Sequence, residues 1–303
     1  MYLSIPTTIT AFSTENKKPI GRHCSSDFCF ALNYEVPRLQ RLIFCFELSG
    51  YPLISLDILK GKVYNRRMDK ILIAIGGGEL REKQTAEIDR QICELVKKRC
   101  GTGKRPVALF VGTASHDSMP YYNSFHKTYT GLFGLKTDCA LTVYGEMDYE
   151  KIKSKFEKAD LIYVGGGDTV FMLESWEKSG IKELILCAYE RGAVICGLSA
   201  GAICWFEEMF TDSAGEDYAF KRALGILKGG ACPHFDKRKI DFERDIAYAK
   251  ISQYICVEDL SAVMFVNGEL KCATESDGNS YIAIVKNCEI DYKNITKGDI
   301  SQS

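Results

Sequence analysis

The stretch GAVICGLSAGAICWF, residues 192–206, sets the reading of the whole chain. An apolar run ending at Cys196 has the composition of a buried strand, and AGAICWF suits a helix. Between them, Gly197-Leu198-Ser199-Ala200-Gly201 is a G-x-S-x-G pattern, the turn that presents a nucleophile at the top of a sheet. The reason is geometric. The residues two before and two after the nucleophile must be small, or strand and helix could not approach each other. The Ser199 hydroxyl is then left exposed beside the positive end of the following helix. With Gly and Ser each near 7% of average composition, the bare pattern arises by chance in about one chain in ten of this length. Its place between strand and helix therefore carries the reading against the competing one, a glycine-lubricated packing turn.

Working outward, the texture is one of alternation. MDKILIAIGGGEL (68–80) is a charged start, a short apolar strand (71–75) and a glycine turn. Ala86, Ile88, Ile92, Leu95 and Val96 then recur at helical spacing, predicting a helix near 83–99. Strands follow at 107–113, 138–144 and 160–167, with helices at 149–158, around 169–178 and near 181–191. After His234 a charged, helix-like stretch runs to about 252, and the tail (262–276 and 280–292) reads as antiparallel strands with a turn at Asn267-Gly268. Strand–helix alternation implies an α/β domain with a mostly parallel sheet covered on both faces. Ligands in such folds sit at the carboxyl ends of the strands.

Residues 1–67 lack any sustained period of two or 3.6 and are expected to be an N-terminal extension outside the catalytic domain, which spans 68–303; the rival is a small subdomain. The 303 residues carry a net charge of −1, so nothing draws the chain to nucleic acid or an anionic membrane, and a small peptide or other small molecule is the better partner. The 13 cysteines are scattered without a C-x-x-C pair or zinc-ligand spacing, which points to reduced thiols in the cytoplasm and to no metal. No secretory signal opens the chain, and the apolar stretch at 42–59 is broken by Glu47 and Asp57.

A serine nucleophile needs a base. Of the four histidines, His23 lies in the extension, His116 and His126 precede the elbow, and His234 follows it in GGACPHFDKR, a strand-end loop. The order Ser then His suits an elbow enzyme, with the acid between them. Candidates are Glu207, Glu208, Asp212, Glu216 and Asp217. Glu207 and Glu208 are expected on the elbow helix or its end, so Asp212, in the turn-prone FTDSAG, is chosen. The glycine triplets at 76–78 and 165–167 complete neither G-x-G-x-x-G nor a phosphate loop. They read as backbone that can aim amides at an oxyanion, with Gly166 or Gly167 joining Ala200; the rival is tight strand–helix packing. Ser115, His116, Asp117 and Tyr121 close another strand end and are candidate substrate contacts.

YVGGGDT, GLSAGAICWF, TDS and CPHFD, in this order, resemble the peptidase E family of serine aspartyl dipeptidases, whose relatives include cyanophycinases. The resemblance runs from about residue 68 to the C-terminus. It implies a class I glutamine amidotransferase-like, three-layer α/β/α fold. It also implies a cofactor-free Ser–His–acid mechanism, with Ser199 as nucleophile, His234 as base, Asp212 as acid and Gly167 or its neighbour at the oxyanion. Glutaminase chemistry is rejected, because the elbow tip is Ser199 and Cys196 lies three residues earlier. The substrate expected is an N-terminal Asp-X dipeptide, met by a cation among Lys127, Arg222, Lys237 and Arg238. A β-aspartyl peptidase of the cyanophycinase kind and a non-catalytic peptide-binding relative are the alternatives, and a homodimer is allowed for.

Overall fold

The computed structural model describes Met68–Gln302 apart from residues 145–147, 214, 216 and 275. Before Met68 it describes only four strands of two to five residues, paired two by two: Thr10–Ala11 with Ile20–Gly21, and Ser55–Leu59 with Lys62–Arg66. The expectation that residues 1–67 stand apart from the catalytic domain, and His23 with it, lies almost wholly outside the described residues.

Eight strands form the main sheet. Strand β1 (Ile71–Ile75) leads to α1 (Ala86–Cys100), β2 (Val107–Val111), α2 (Met119–His126), β3 (Lys136–Ala140), α3 (Tyr149–Lys158) and β4 (Leu161–Val164). Then come α4 (Thr169–Ser179), α5 (Ile181–Arg191), β5 (Val194–Leu198) and the single-turn α6 (Ala200–Ile203). β1, β5, β4, β2 and β3 lie side by side in parallel. Every residue of β1 and β5 is buried, which is why both read as unbroken apolar runs. Alternate side chains feed two cores. Ile71, Ile73 and Ile75 pack with Ile88, Ile92 and Leu95 of α1 and with Phe125. Leu72 and Ala74 pack toward Trp176, Ile185 and Trp205. Helices thus cover both faces, as the alternation required.

The tail splits between two sheets. β10 (Ala262–Val266) and β11 (Glu269–Thr274) make the expected hairpin, turning through Asn267 (φ 54°) and Gly268 (φ 86°), and β10 pairs antiparallel with β1. The short β14 (Lys297–Gly298) pairs with β11 at the sheet's edge. The remaining strands build a second, six-stranded sheet that sequence patterning did not anticipate. Its order is β7 (Ala219–Arg222), β6 (Phe206–Thr211), β8 (Leu227–Pro233), β9 (Gln253–Val257), β12 (Ser280–Lys286), β13 (Glu289–Asn294), with β6, β8 and β9 parallel. One face joins the main core through Met209, Ala231 and Ile255. The other carries α7 (Phe235–Asp245) on an aromatic cluster of Phe210, Phe235, Phe242 and Tyr254. Glu207 and Glu208 therefore lie on β6, not on the elbow helix. Glu207 accepts from the Gly229 amide at 2.7 Å, and the buried Glu208 accepts from the Tyr254 hydroxyl and the Lys250 amide. The ten cysteines among the described residues are free, and no helix there is long and apolar enough to cross a membrane.

Candidate active site

Ser199 follows the last residue of β5 and stands at φ 53°, ψ −106°, a backbone conformation that costs a non-glycine residue about 1–3 kcal/mol. Surrounding bonds hold it there. Its amide donates to Ile75 O at 2.9 Å, and its carbonyl accepts from Ala202 and Ile203 at 2.9 and 3.1 Å. The flanking glycines are obligatory by contact. A Cβ on Gly197 would lie 2.1 Å from Gly201 O, and one on Gly201 would lie 2.2 Å from Val164 O.

His234 follows β8 and caps the start of α7 in a left-handed conformation (φ 50°, ψ 40°). Its Nε2 lies 2.9 Å from Ser199 Oγ and its Nδ1 lies 2.5 Å from Asp259 Oδ1. The carboxylate is brought there by strand pairing: β8 and β9 are parallel, with Pro233 opposite Val257, so the residues that follow both strands emerge side by side. Three consecutive carbonyls at the end of β1 gather the three segments. Ile75 O accepts from the Ser199 amide, Gly76 O from His234 at 3.1 Å, and Gly77 O from Leu260 at 3.1 Å. Gly77 must be glycine, because its Cβ would sit 2.0 Å from Asp259 Oδ1 and 2.2 Å from His234 Nδ1.

Burial pushes the Asp259 carboxyl up, but the hydrogen bonds from His234 and Lys237 outweigh it and hold the group at about 2. It is an anion throughout the working pH range and suits a group that must stabilise an imidazolium.

Asp212, the acid chosen from sequence, is not brought to His234. It accepts from Arg238 Nη2 at 3.3 Å and neutralises a guanidinium that is only 8% exposed. The neighbouring Ser213 hydroxyl takes the Thr169 amide at 2.9 Å, and Asp168 caps α4 through the Phe171 amide. The TDS and GGGDT segments thus fasten the N-terminus of α4. Asp217 lies beyond Asp212 on the loop to β7, and Glu216 falls outside the described residues. Asp259 lies after His234 rather than between serine and histidine, where an elbow enzyme is expected to carry its acid. Its available signal was a carboxylate at the end of the apolar run YICV (254–257).

The three residues face a cleft of about 450 Å³ lined also by Gly166, Gly167, Leu198 and Tyr121. Gly167 (φ 136°) needs the freedom of glycine, and its Cβ would meet Ala114 O at 2.2 Å. Among the described residues neither the Gly167 nor the Ala200 amide has a hydrogen-bond partner, so both can serve an oxyanion. The Gly166 amide is committed to the Tyr121 hydroxyl at 3.2 Å. Burial pushes that hydroxyl's pKa up to about 12.

Of the four candidate substrate contacts, Tyr121 alone lines the cleft. Ser115 Oγ donates to Gly112 O, His116 packs on Phe171 with ring centres 4.2 Å apart, and the buried Asp117 accepts from the Thr142 and Val143 amides at 2.6 Å each. These three shape the loop after β2. Of the four candidate cations, Lys237 lines the cleft; Arg238 is spent on Asp212 and Phe210 O, and Lys127 and Arg222 are not among the lining residues. Arg81, not among the candidate cations, lines it with a side chain 83% exposed and, among the described residues, one long ion pair, 3.9 Å to Glu82. Among the described residues no cluster of three or more His, Cys, Asp or Glu has the geometry of a metal site.

The chain is 32% identical over 234 residues to the uncharacterized peptidase YgaJ of Bacillus subtilis, covering 74% of this chain and 95% of that protein. It is 30% identical to peptidase E of Streptomyces coelicolor over 84 residues, which is 35% of that protein. Its fold superposes on the crystal structure of a peptidase from an acI-B1 Actinobacterium with a TM-score of 0.56, at 19% identity and over 77% of this chain and 96% of that one. The family described as peptidase family S51 matches residues 72–273, the span that holds β1, the elbow, His234 and Asp259, and the chain belongs to that family.

Proposed function

We propose that this peptidase is of the serine type and hydrolyses small peptides through Ser199, His234 and Asp259, with N-terminal Asp-X dipeptides as its substrates. The observation that carries the reading is the relay of a serine in strained elbow geometry, an imidazole 2.9 Å from its hydroxyl and a carboxylate 2.5 Å from the other ring nitrogen. Asp259 holds the proton of His234 on Nδ1, so Nε2 is free to accept the Ser199 proton as Oγ attacks the scissile carbonyl. The Gly167 and Ala200 amides receive the oxyanion. His234 returns the proton to the leaving amine, and water, activated by the same imidazole, releases the acyl group. Arg81 supports the acidic specificity, as a cation in the cleft wall that could meet a substrate carboxylate. The free cysteines support a cytoplasmic setting.

Glu79, also in the cleft wall, favours a second reading, a peptidase of the cyanophycinase kind that accepts a basic side chain next to a β-aspartyl bond. A panel of Asp-X, Glu-X, Ala-X and β-aspartyl-Arg dipeptides, given to the full-length protein and to Ser199→Ala, separates the two. Cleavage of Asp-X that vanishes in the variant supports the first reading, and cleavage confined to β-aspartyl-Arg supports the second. If folded protein is silent on every peptide, both fall and a peptide-binding relative takes their place.

A further inference from the structure

The first turn of α7 does more than carry His234. Three of its residues reach the same acid. His234 Nδ1 donates to Asp259 Oδ1, the Lys237 ammonium donates to Asp259 Oδ2, and the Asp236 carboxylate accepts from the Asp259 amide at 2.9 Å. Lys237 stands in the first turn of the helix, where the macrodipole is positive and a cation is disfavoured. A local rule broken in this way marks a residue placed for a purpose other than helix stability.

We infer that Lys237 and Asp236 are positioning residues: they clasp the Asp259 loop so that one carboxylate oxygen faces His234 and the other is occupied. The inference rests on the Ser–His–Asp reading above. A carboxylate held at its amide and at its second oxygen cannot rotate away from the imidazole. The other charged groups around this pair are Arg238 on α7, Glu258 beside Asp259, and Glu79 and Arg81 across the cleft. Glu258 is engaged by the Tyr281 hydroxyl and the Asn279 amide.

The test follows His234 itself. The full-length protein has four histidines, so the His234 Nδ1–H proton can be found in ¹H–¹⁵N spectra and assigned with His234→Gln. Lys237→Met is expected to speed exchange of that proton with solvent about tenfold, because Asp259 is then free to swing away from the imidazole. The rate of fluorophosphonate labelling of Ser199 should fall by a similar factor, and Lys237→Arg should restore both. Lys237 is 65% exposed, so its removal should leave the melting temperature nearly unchanged. An Nδ1–H exchange rate unchanged in Lys237→Met overturns the clasp. Absence of Ser199 labelling in folded wild-type protein overturns the nucleophile reading instead, and the exchange measurement still decides the clasp.

Discussion

Exchange of Asp259 for asparagine separates the acid seen in the structure from the acid expected from sequence. The substitution keeps shape and removes charge. Lys237, which donates to Oδ2 in the native protein, will take the one carbonyl oxygen that asparagine offers. The NH₂ group then faces His234 Nδ1, which can only accept from it. The imidazole proton is forced onto Nε2, where it meets Ser199 Oγ and blocks the transfer that starts the reaction. The lost attraction is of similar size: two unit charges about 4 Å apart at an effective dielectric of about 20 are worth roughly 4 kcal/mol, or about three decades in rate. Both routes lead to a fall in kcat of about 10³- to 10⁴-fold, the upper end being the loss expected when a triad carboxylate becomes an amide. Asp212→Asn removes only a 3.3 Å contact to Arg238 from a side chain that is 52% exposed. It should leave kcat within about twofold and cost at most about 1 kcal/mol. The assay is kcat on the best peptide of the panel, with the rate of fluorophosphonate labelling as a substrate-independent check and circular dichroism to show that both variants fold. A hundredfold loss in Asp212→Asn, with Asp259→Asn near wild type, would refute the argument and return the acid to Asp212.

Gly197→Ala should lower stability by about 3 kcal/mol and abolish labelling of Ser199, because its Cβ meets backbone at 2.1 Å; Gly131→Ala, with nothing within 4 Å, is the neutral control in the same thermal melt. Arg81→Ala should raise KM for Asp-X about tenfold and leave Ala-X nearly unchanged; an equal effect on both would remove Arg81 from specificity. Burial pushes the Asp89 carboxyl up to about 6 despite hydrogen bonds from Tyr129 and Thr85. A raised carboxyl stabilises the fold below its unfolded pKa and loses that contribution as pH rises through 6, by about 3 kcal/mol at most, so wild-type stability should fall between pH 4 and 7 relative to Asp89→Asn. Parallel curves for the two proteins in denaturant titrations would count against it.

The elements that sequence predicted well were those whose signal is local. β1, β5, α3 and α5 lie where apolar runs and helical spacing put them, because both strands are buried throughout and each helix buries one face at helical spacing. The elbow was legible for the same reason, as its requirement for two small neighbours is written within five residues. Glu207 and Glu208 are expected on the elbow helix or its end, but the tertiary pairing of β6 with β7 and β8 takes Phe206–Thr211 into a sheet. The second sheet stayed hidden because its parallel core joins strands separated by about 20 residues, and no period in the sequence records a register. Asp259 was lost with it. An acid fixed by the pairing of Pro233 with Val257 carries no mark that sets it apart from Glu258 or Asp236.

The glycines at 76–78 suggest amides for an oxyanion, and their carbonyls also organise the site. Ile75, Gly76 and Gly77 accept in turn from Ser199, His234 and Leu260, so one residue of β1 and two of the turn after it measure out the spacing of the nucleophile, the base and the loop of the acid. β1 stands between β5, which delivers the serine, and β10, which begins just after the acid. The side-chain relay is therefore laid over a backbone relay of the same order. The absence of a Cβ at Gly77 is what lets the two lie against each other, with the imidazole and the carboxylate directly above the turn. A serine nucleophile, weak at its own pKa, depends on a base held to within a few tenths of an ångström. Here that accuracy comes from the buried central strand of the sheet, the part of the domain least free to move.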